Sequence, residues 1–460
     1  MDPALAALNR FGLGARVGER ARIRDPRGWL AAQLTEAPTV PPAPQGASAH
    51  EVGEALRALR EAAGAGEGER RAARQRLARV ASVEARAALT ERVATERPFV
   101  ERLVGFWSNH LCVSTAAKVL VAPLAGGYER EAIRPHVLGR FEEMVLASAR
   151  HPAMLLYLDN FQSIGPGSPG ARLARRPDAR RGLNENYARE LLELHTLGVE
   201  GGYAQEDVIS LARILTGWTV AGVGAPRLPA RLGGAEAGDG PVRFLFRDAL
   251  HEPGAKSLLG VRYAEAGVVE GERAIHSLCR HPSTARFVAR KLVAHFVSDE
   301  PPAAAVARVE RTFRETEGDL RQVARELIAL PEAWREDTRK FRTPQDWLVA
   351  VLRAAGAREA GDPMMAALRQ LRQPLWSPPS PAGYGDATRD WADPDALLNR
   401  AELARTLARR LGPRTPEPVA LLEVVDVSAA DPLRPLLADR SIPAPERLAI
   451  ALAGPAFQWR

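Results

Sequence analysis

Apolar residues recur three and four positions apart through most of this chain, and that spacing predicts one helix after another. Residues 3 to 35 read as two short helices around a Gly-rich turn at Gly12 to Gly18, with Leu5, Leu8 and Phe11, then Trp29, Leu30 and Leu34, on apolar faces. The Pro- and Ala-rich run from Pro38 to Ala49 reads as exposed linker. Residues 50 to 96, with Leu56, Leu59, Leu77 and Val80 apolar, suggest a helical hairpin turning near Gly64 to Gly68. From Pro98 the pattern strengthens: FVERLVGFWSNHLCVS is an amphipathic helix with Phe99, Leu103, Phe106 and Trp107 inward. Pro135 is expected to open a helix carrying Leu138, Phe141, Met144 and Val145 and ending at His151, and Pro152 to open a short one, since the first helical turn has no use for the missing amide.

The densest polar set falls in residues 182 to 218, GLNENYARELLELHTLGVEGGYAQEDVISLARILTGW. Asn184 is the expected N-cap of a helix over 185 to 197, Gly198 its left-handed stop, and Ala204 to Leu215 a partner helix. Two short apolar runs, 242 to 246 and 257 to 263, flank DALHEPGAK and suggest a hairpin. Helices return from 266 to 356, where HPSTARFVARKLVAHFVSD has a start signal at Ser283 and places Lys291 and His295 at i, i+4. The Pro- and aromatic-rich stretch 373 to 391 cannot be helix and is expected to wrap across the surface near the site. The fold class that follows is mainly α, a multi-helix globular bundle with long loops and at most one small β-hairpin near 242–263. Its expected divisions are N-terminal helices over 1–36, a linker and helical hairpin over 37–97, and a main helical unit over 98–460.

Charge changes this picture little. The net charge of +7 is spread over every segment and interleaved with acids, the pattern of solvated helix surfaces rather than of a nucleic-acid face. Two cysteines are too few for a disulfide framework or zinc cluster. The first residues lack a basic stretch followed by an apolar core, so no signal peptide is expected, and no apolar run of about 18 residues suggests a membrane span. A cytoplasmic location is the expectation. There is no fixed-period repeat, phosphate-binding Gly loop or Gly-x-Ser-x-Gly elbow.

Residue economy points to chemistry. Lysine occurs only at 118, 256, 291 and 340, and asparagine and tyrosine six times each. Yet Asn109, Asn160, Asn184 and Asn186 and Tyr128, Tyr157, Tyr187 and Tyr203 all lie between 109 and 203. On a regular helix Asn186, Glu190, Glu193 and Leu197 share a stripe opposite Leu191, Leu192 and His195. Glu190 and Glu193 could then share an ion, whereas Glu193 and His195 could not. The bland counterpart is an i, i+4 ion pair of Arg189 with Glu193. His110, His136 and His151 sit at helix starts or ends near Glu131, and the 251–256 loop presents His251, Glu252 and Lys256. The Arg-rich loop 162 to 182 could contact an anion or be merely solvated.

Several ordered blocks carry a resemblance: NENYARELLELHTLGV with YAQEDV and LTGW, FWSNHLCVS, YEREAIRPHVLGRF, HPAMLLYLDN, LHEPGAKSLLG, ARKLVAHFVSDEPP and QPLWSPPSPAGY. Over nearly the whole length the chain resembles the bacterial domain-of-unknown-function family numbered 1800. The resemblance implies a mainly helical protein, no defined reaction, and a sulfatase-like partner protein of the family numbered 1501. Two positions depart from the family pattern: Ala204 stands for a usual Thr cap, and Glu252 for a usual Asp.

Two functions of different class follow. The favoured one is an enzyme whose acid–base set is Glu190, Glu193, His151, His251, Lys256 and Arg189, with His110, Glu131, His136 and His195 as ligands should a divalent metal serve as cofactor. The alternative is a non-catalytic scaffold for the sulfatase-like partner, with the polar motifs as buried networks that hold the fold.

Overall fold

Proline writes many of the helix starts. Pro98, Pro152, Pro282 and Pro344 each sit in the first turn of a helix, where the ring's fixed φ suits the backbone and the lost amide had no partner to lose. The structure, a computed structural model, describes residues 2–173, 182–222, 242–411 and 415–460. The arginines at 175, 176, 180 and 181 and most of the Gly-rich stretch after residue 220 lie outside these residues.

The expected hairpin of α1 (Ala49–Glu61) and α2 (Glu67–Ala94) forms around a tight turn at Ala62–Gly64. Ser48 and Glu51 close a capping box at its start. Next come α3 (Pro98–His110), α4 (Phe141–Arg150), α5 (Pro152–Tyr157), α6 (Asn186–Glu190) and α7 (Gln205–Ile214). Then follow α8 (Val268–Cys279), α9 (Pro282–Phe296), α10 (Ala303–Glu315), α11 (Pro344–Ala354), α12 (Pro394–Leu411) and α13 (Ala444–Ala453). Helix α9 packs on α10, and α12 on α13. The fold is mainly helical, as the periodicity indicates. One apolar cluster runs from Ala4 to Phe457 and takes in the fully buried Trp107, Trp218 and Trp347. Among the described residues no helix is long and apolar enough to cross a membrane.

The β element is small but pairs differently from expectation. Strand β1 (Trp218–Ala221) pairs antiparallel with β2 (Arg243–Phe246), with Trp218 opposite Phe246. Strand β3 (Lys256–Leu258) pairs with β4 (Val261–Tyr263). The run 257 to 263 therefore folds on itself about Leu259 and Gly260, both at positive φ, and leaves 243–246 to the strand that follows α7. DALHEPGAK joins the two sheets instead of turning one hairpin.

Two helix starts also move. Pro135 opens only a single tight turn, Arg134–His136, and α4 begins later, where the Phe141 amide donates to the Gly318 carbonyl at 2.9 Å. Helix α9 is capped by His281, whose Nδ1 accepts from the Ser283 amide at 3.2 Å, not by Ser283. His151 caps α5 in the same way, accepting from the Ala153 amide at 3.1 Å. Both are His-Pro pairs, in which the proline occupies the first helical position and the imidazole satisfies the next free amide.

Candidate functional site

The central helix is not a regular cylinder. After α6 the backbone widens into a π turn at Leu191–His195, and Thr196 Oγ1 donates to the Leu191 carbonyl at 2.6 Å. Asn184 caps the start as expected, accepting from the Asn186 amide at 2.9 Å, and Gly198 takes φ +83° at the stop. Glu190 and Glu193 are neighbours: burial, then the charge of Glu193, raises the Glu190 pKa. Arg189 lies 3.6 Å from Glu193 and 3.5 Å from Glu185, a half-buried ladder of i, i+4 pairs.

The other residues singled out by sequence fall in separate places. His151, besides capping α5, lies 3.6 Å from Glu131. His136 sits apart on its own turn, its pKa lowered by burial. His251 and Lys256 form a buried triad with Glu270, which sequence reasoning missed. The His251 Nδ1 lies 2.9 Å from the Thr216 carbonyl, and its Nε2 and the Lys256 ammonium lie 3.0 and 3.1 Å from Glu270 Oε2. Glu252 accepts from the Gly167 amide at 2.7 Å, so the longer carboxylate still reaches a backbone donor. At Ala204, Asp207 keeps half of a capping box by accepting from the Ala204 amide at 2.9 Å. His110 and His195 do come together, but through the His195 backbone carbonyl, which lies 3.1 Å from His110 Nε2. Among the described residues no three His, Cys, Asp or Glu side chains are grouped so as to hold a metal ion.

What the fold does assemble is a cavity of about 280 Å³ between α3, α9, the start of α11 and the 373–386 segment. That lies near the lower end of small-molecule pockets. Its frame is a set of buried ion pairs. Arg102 holds both oxygens of Asp346 at 3.2 and 3.1 Å, with Arg460 at 3.4 Å. Glu129 takes Arg92 at 3.0 Å, Ser108 at 2.9 Å and the Trp376 indole at 2.7 Å. The Asn109 amide clamps the wrapping segment, donating to the Tyr384 carbonyl at 2.9 Å and accepting from the Tyr384 amide at 2.8 Å. Gly383, at φ +84°, lets that clamp close, since a Cβ there would lie 2.5 Å from the Asn109 carbonyl.

Two side chains one turn apart on α9 supply the ionisable chemistry of this wall. His295 Nδ1 lies 3.0 Å from Asp386 Oδ2, which places the proton on Nδ1, while Nε2 is enclosed and makes no hydrogen bond. Against the burial that would raise it, His295, Lys340 and Arg460 hold Asp386 down at about 2. Burial lowers the His295 pKa, with Asp386 opposing, so its imidazole is neutral at pH 7. Lys291 donates to His110 Nδ1 at 3.0 Å. Burial pushes the Lys291 amine down to about 8, and the same burial, with Lys291 nearby, holds His110 well below its ordinary value and His195 at about 3. The Cys112 thiol is pushed up to about 12 by burial and contacts the Pro381 carbonyl at 3.3 Å, so it carries no thiolate.

A family model described as "Protein of unknown function (DUF1800)" matches residues 6–459. The chain belongs to the DUF1800 family. No curated protein and no solved structure matches it. In this DUF1800 member the motif blocks are spread over several helix junctions, and three of them, FWSNHLCVS, ARKLVAHFVSDEPP and QPLWSPPSPAGY, line the cavity. The signals that could have found it were the i, i+4 placement of Lys291 and His295 and the scarcity of lysine. Asp386 carried no signal of its own, because its partner lies 91 residues away.

Proposed function

We propose that this chain is an enzyme performing acid–base chemistry on a small molecule in the cavity, with His295 as general base, Asp386 as its anchor and Lys291 as a second proton carrier. One observation carries the reading: a cavity-lining imidazole oriented by a carboxylate has an enclosed, unpartnered Nε2, and the same helix brings a second cavity-lining group, the Lys291 amine. An orphaned buried nitrogen costs about 1–3 kcal/mol, and such a group calls for an explanation that catalysis supplies.

The test is turnover across a panel of small esters, amides, lactones and carbonyl compounds, with folding checked by circular dichroism. Asp386→Asn and His295→Gln should lower kcat by roughly 10²–10⁴-fold on whichever substrate the wild type turns over. Unchanged turnover in both folded variants rejects the assignment. The scaffold reading draws its support from the motif residues His151, Arg189, Glu193, His251 and Lys256, each engaged by its own neighbours. Co-purification of a sulfatase-like protein that the two cavity variants leave intact would favour it.

A further inference from the structure

We propose that Lys291 is a covalent catalytic residue, and that the cavity takes an aldehyde or ketone whose carbonyl carbon it captures as an imine. This rests on the cavity being the reactive centre. It goes further by naming the nucleophile and the class of substrate.

Lysine is used sparingly in this chain. Of its 63 basic residues only four are lysine, and three of those four sit against carboxylates. Lys118 pairs with Asp159, Lys256 with Glu270, and Lys340 with Asp299 and Asp386. Lys291 is different: its hydrogen-bond partner is the imidazole of His110. The other ionisable groups whose charge reaches it are Cys112, which stays a thiol, and Asp386, which is committed to His295 and Lys340. Arginine cannot lose its proton, whereas a lysine with no carboxylate partner among the described residues is a group that can.

The geometry around the amine suits a nucleophile. His110 Nε2 carries the proton it donates to the His195 carbonyl, so Nδ1 is left as an acceptor. It takes one N–H of Lys291, and the lone pair of the neutral amine is free of that bond. His110 is thus a positioning residue. The competing nucleophiles of the wall are occupied. Ser108 donates to Glu129 at 2.9 Å, Tyr384 OH donates to the Pro374 carbonyl at 2.7 Å, and Cys112 keeps its proton. An amine titrating near 8 also carries on the order of a hundredfold more neutral form at pH 7.5 than one at the ordinary 10.5.

The step balances without an external oxidant or reductant. The Lys291 nitrogen adds to the carbonyl carbon, and the proton it sheds moves to the carbonyl oxygen, relayed by His295 one turn along α9. The remaining amine proton then passes, through the same imidazole, to the resulting hydroxyl, which leaves as water while the nitrogen electron pair forms the carbon–nitrogen double bond.

The four-lysine composition makes the test direct. Full-length protein is treated at pH 7.5 with acetaldehyde and cyanoborohydride, which reduces any imine to a stable amine, and the adducts are mapped by peptide mass spectrometry. Lys291 should be alkylated at least tenfold faster than Lys118, which is partly exposed and serves as the internal standard. Labelling of Lys291 no faster than Lys118 overturns the inference. The His295→Gln variant separates the two readings. Fast labelling of Lys291 that is unchanged in that variant upholds the imine and removes His295 as its relay. A slowed but still selective reaction upholds both.

Discussion

Replacing Lys291 with methionine keeps the side chain's length and removes its charge, and the structure gives the size of the response. Lowering the amine from 10.5 to about 8 corresponds, at about 1.4 kcal/mol per pH unit, to about 3 kcal/mol spent on holding the cation in the fold at neutral pH. The sign follows from proton counting. Between about pH 8 and 10.5 the unfolded chain holds this proton and the native state does not, so wild-type stability rises with pH through that window. Below it both states are protonated and the full penalty stands. Methionine removes the penalty and also the hydrogen bond to His110, worth about 1 kcal/mol. Lys291→Met should therefore be about 2 kcal/mol more stable than wild type at pH 7 and about 1 kcal/mol less stable near pH 10.5. For a chain of 460 residues the unfolding entropy is about 1 kcal/mol/K. Scanning calorimetry should then show Tm about 2 °C higher at pH 7, with the two curves crossing as pH rises. A variant that melts below wild type at pH 7, by a margin that does not change with pH, would mean that the fold leaves the Lys291 pKa unshifted and no desolvation penalty exists.

Two further substitutions probe the frame. Gly383→Ala must place a Cβ against the Asn109 carbonyl at a backbone φ that alanine avoids. It should cost about 2 kcal/mol or more, seen as a lower Tm and faster amide exchange confined to 373–391. His151→Ala removes the cap of α5 and should cost about 1 kcal/mol, leaving Lys291 labelling as in wild type. A loss of labelling there would tie His151 to the cavity after all.

The clustering of scarce asparagines is a sound sequence signal with more than a chemical meaning. The asparagines it flagged brace backbone: Asn160 donates to the Leu215 and Trp218 carbonyls at 3.1 Å each, and Asn184 to the Leu158 carbonyl at 3.2 Å. A carboxamide both donates and accepts, so few other side chains replace it at such junctions, and scarcity there marks folding needs as readily as chemistry. In the central helix Glu190 and Glu193 are neighbours as expected, but the cylinder is irregular. Its stripe of Asn186, Glu190 and Glu193 assumed 100° per residue, and the π turn at Leu191–His195 changes that angle within the motif itself.

Sequence alone determined the helical class, the hairpin of α1 and α2 and the proline-led start of α5, because each follows from residues close in order. The 373–391 stretch, expected to hold no helix, carries a short one at Thr388–Trp391 and is clamped from Asn109, far away in sequence. Sequence also placed Lys291 and His295 on one face of one helix. Tertiary structure alone decided which acids they meet, since Asp386 reaches His295 from another segment and, among the described residues, no carboxylate pairs with Lys291. The charge state of a buried group is set by what packs around it, and that environment comes from parts of the chain far apart in order.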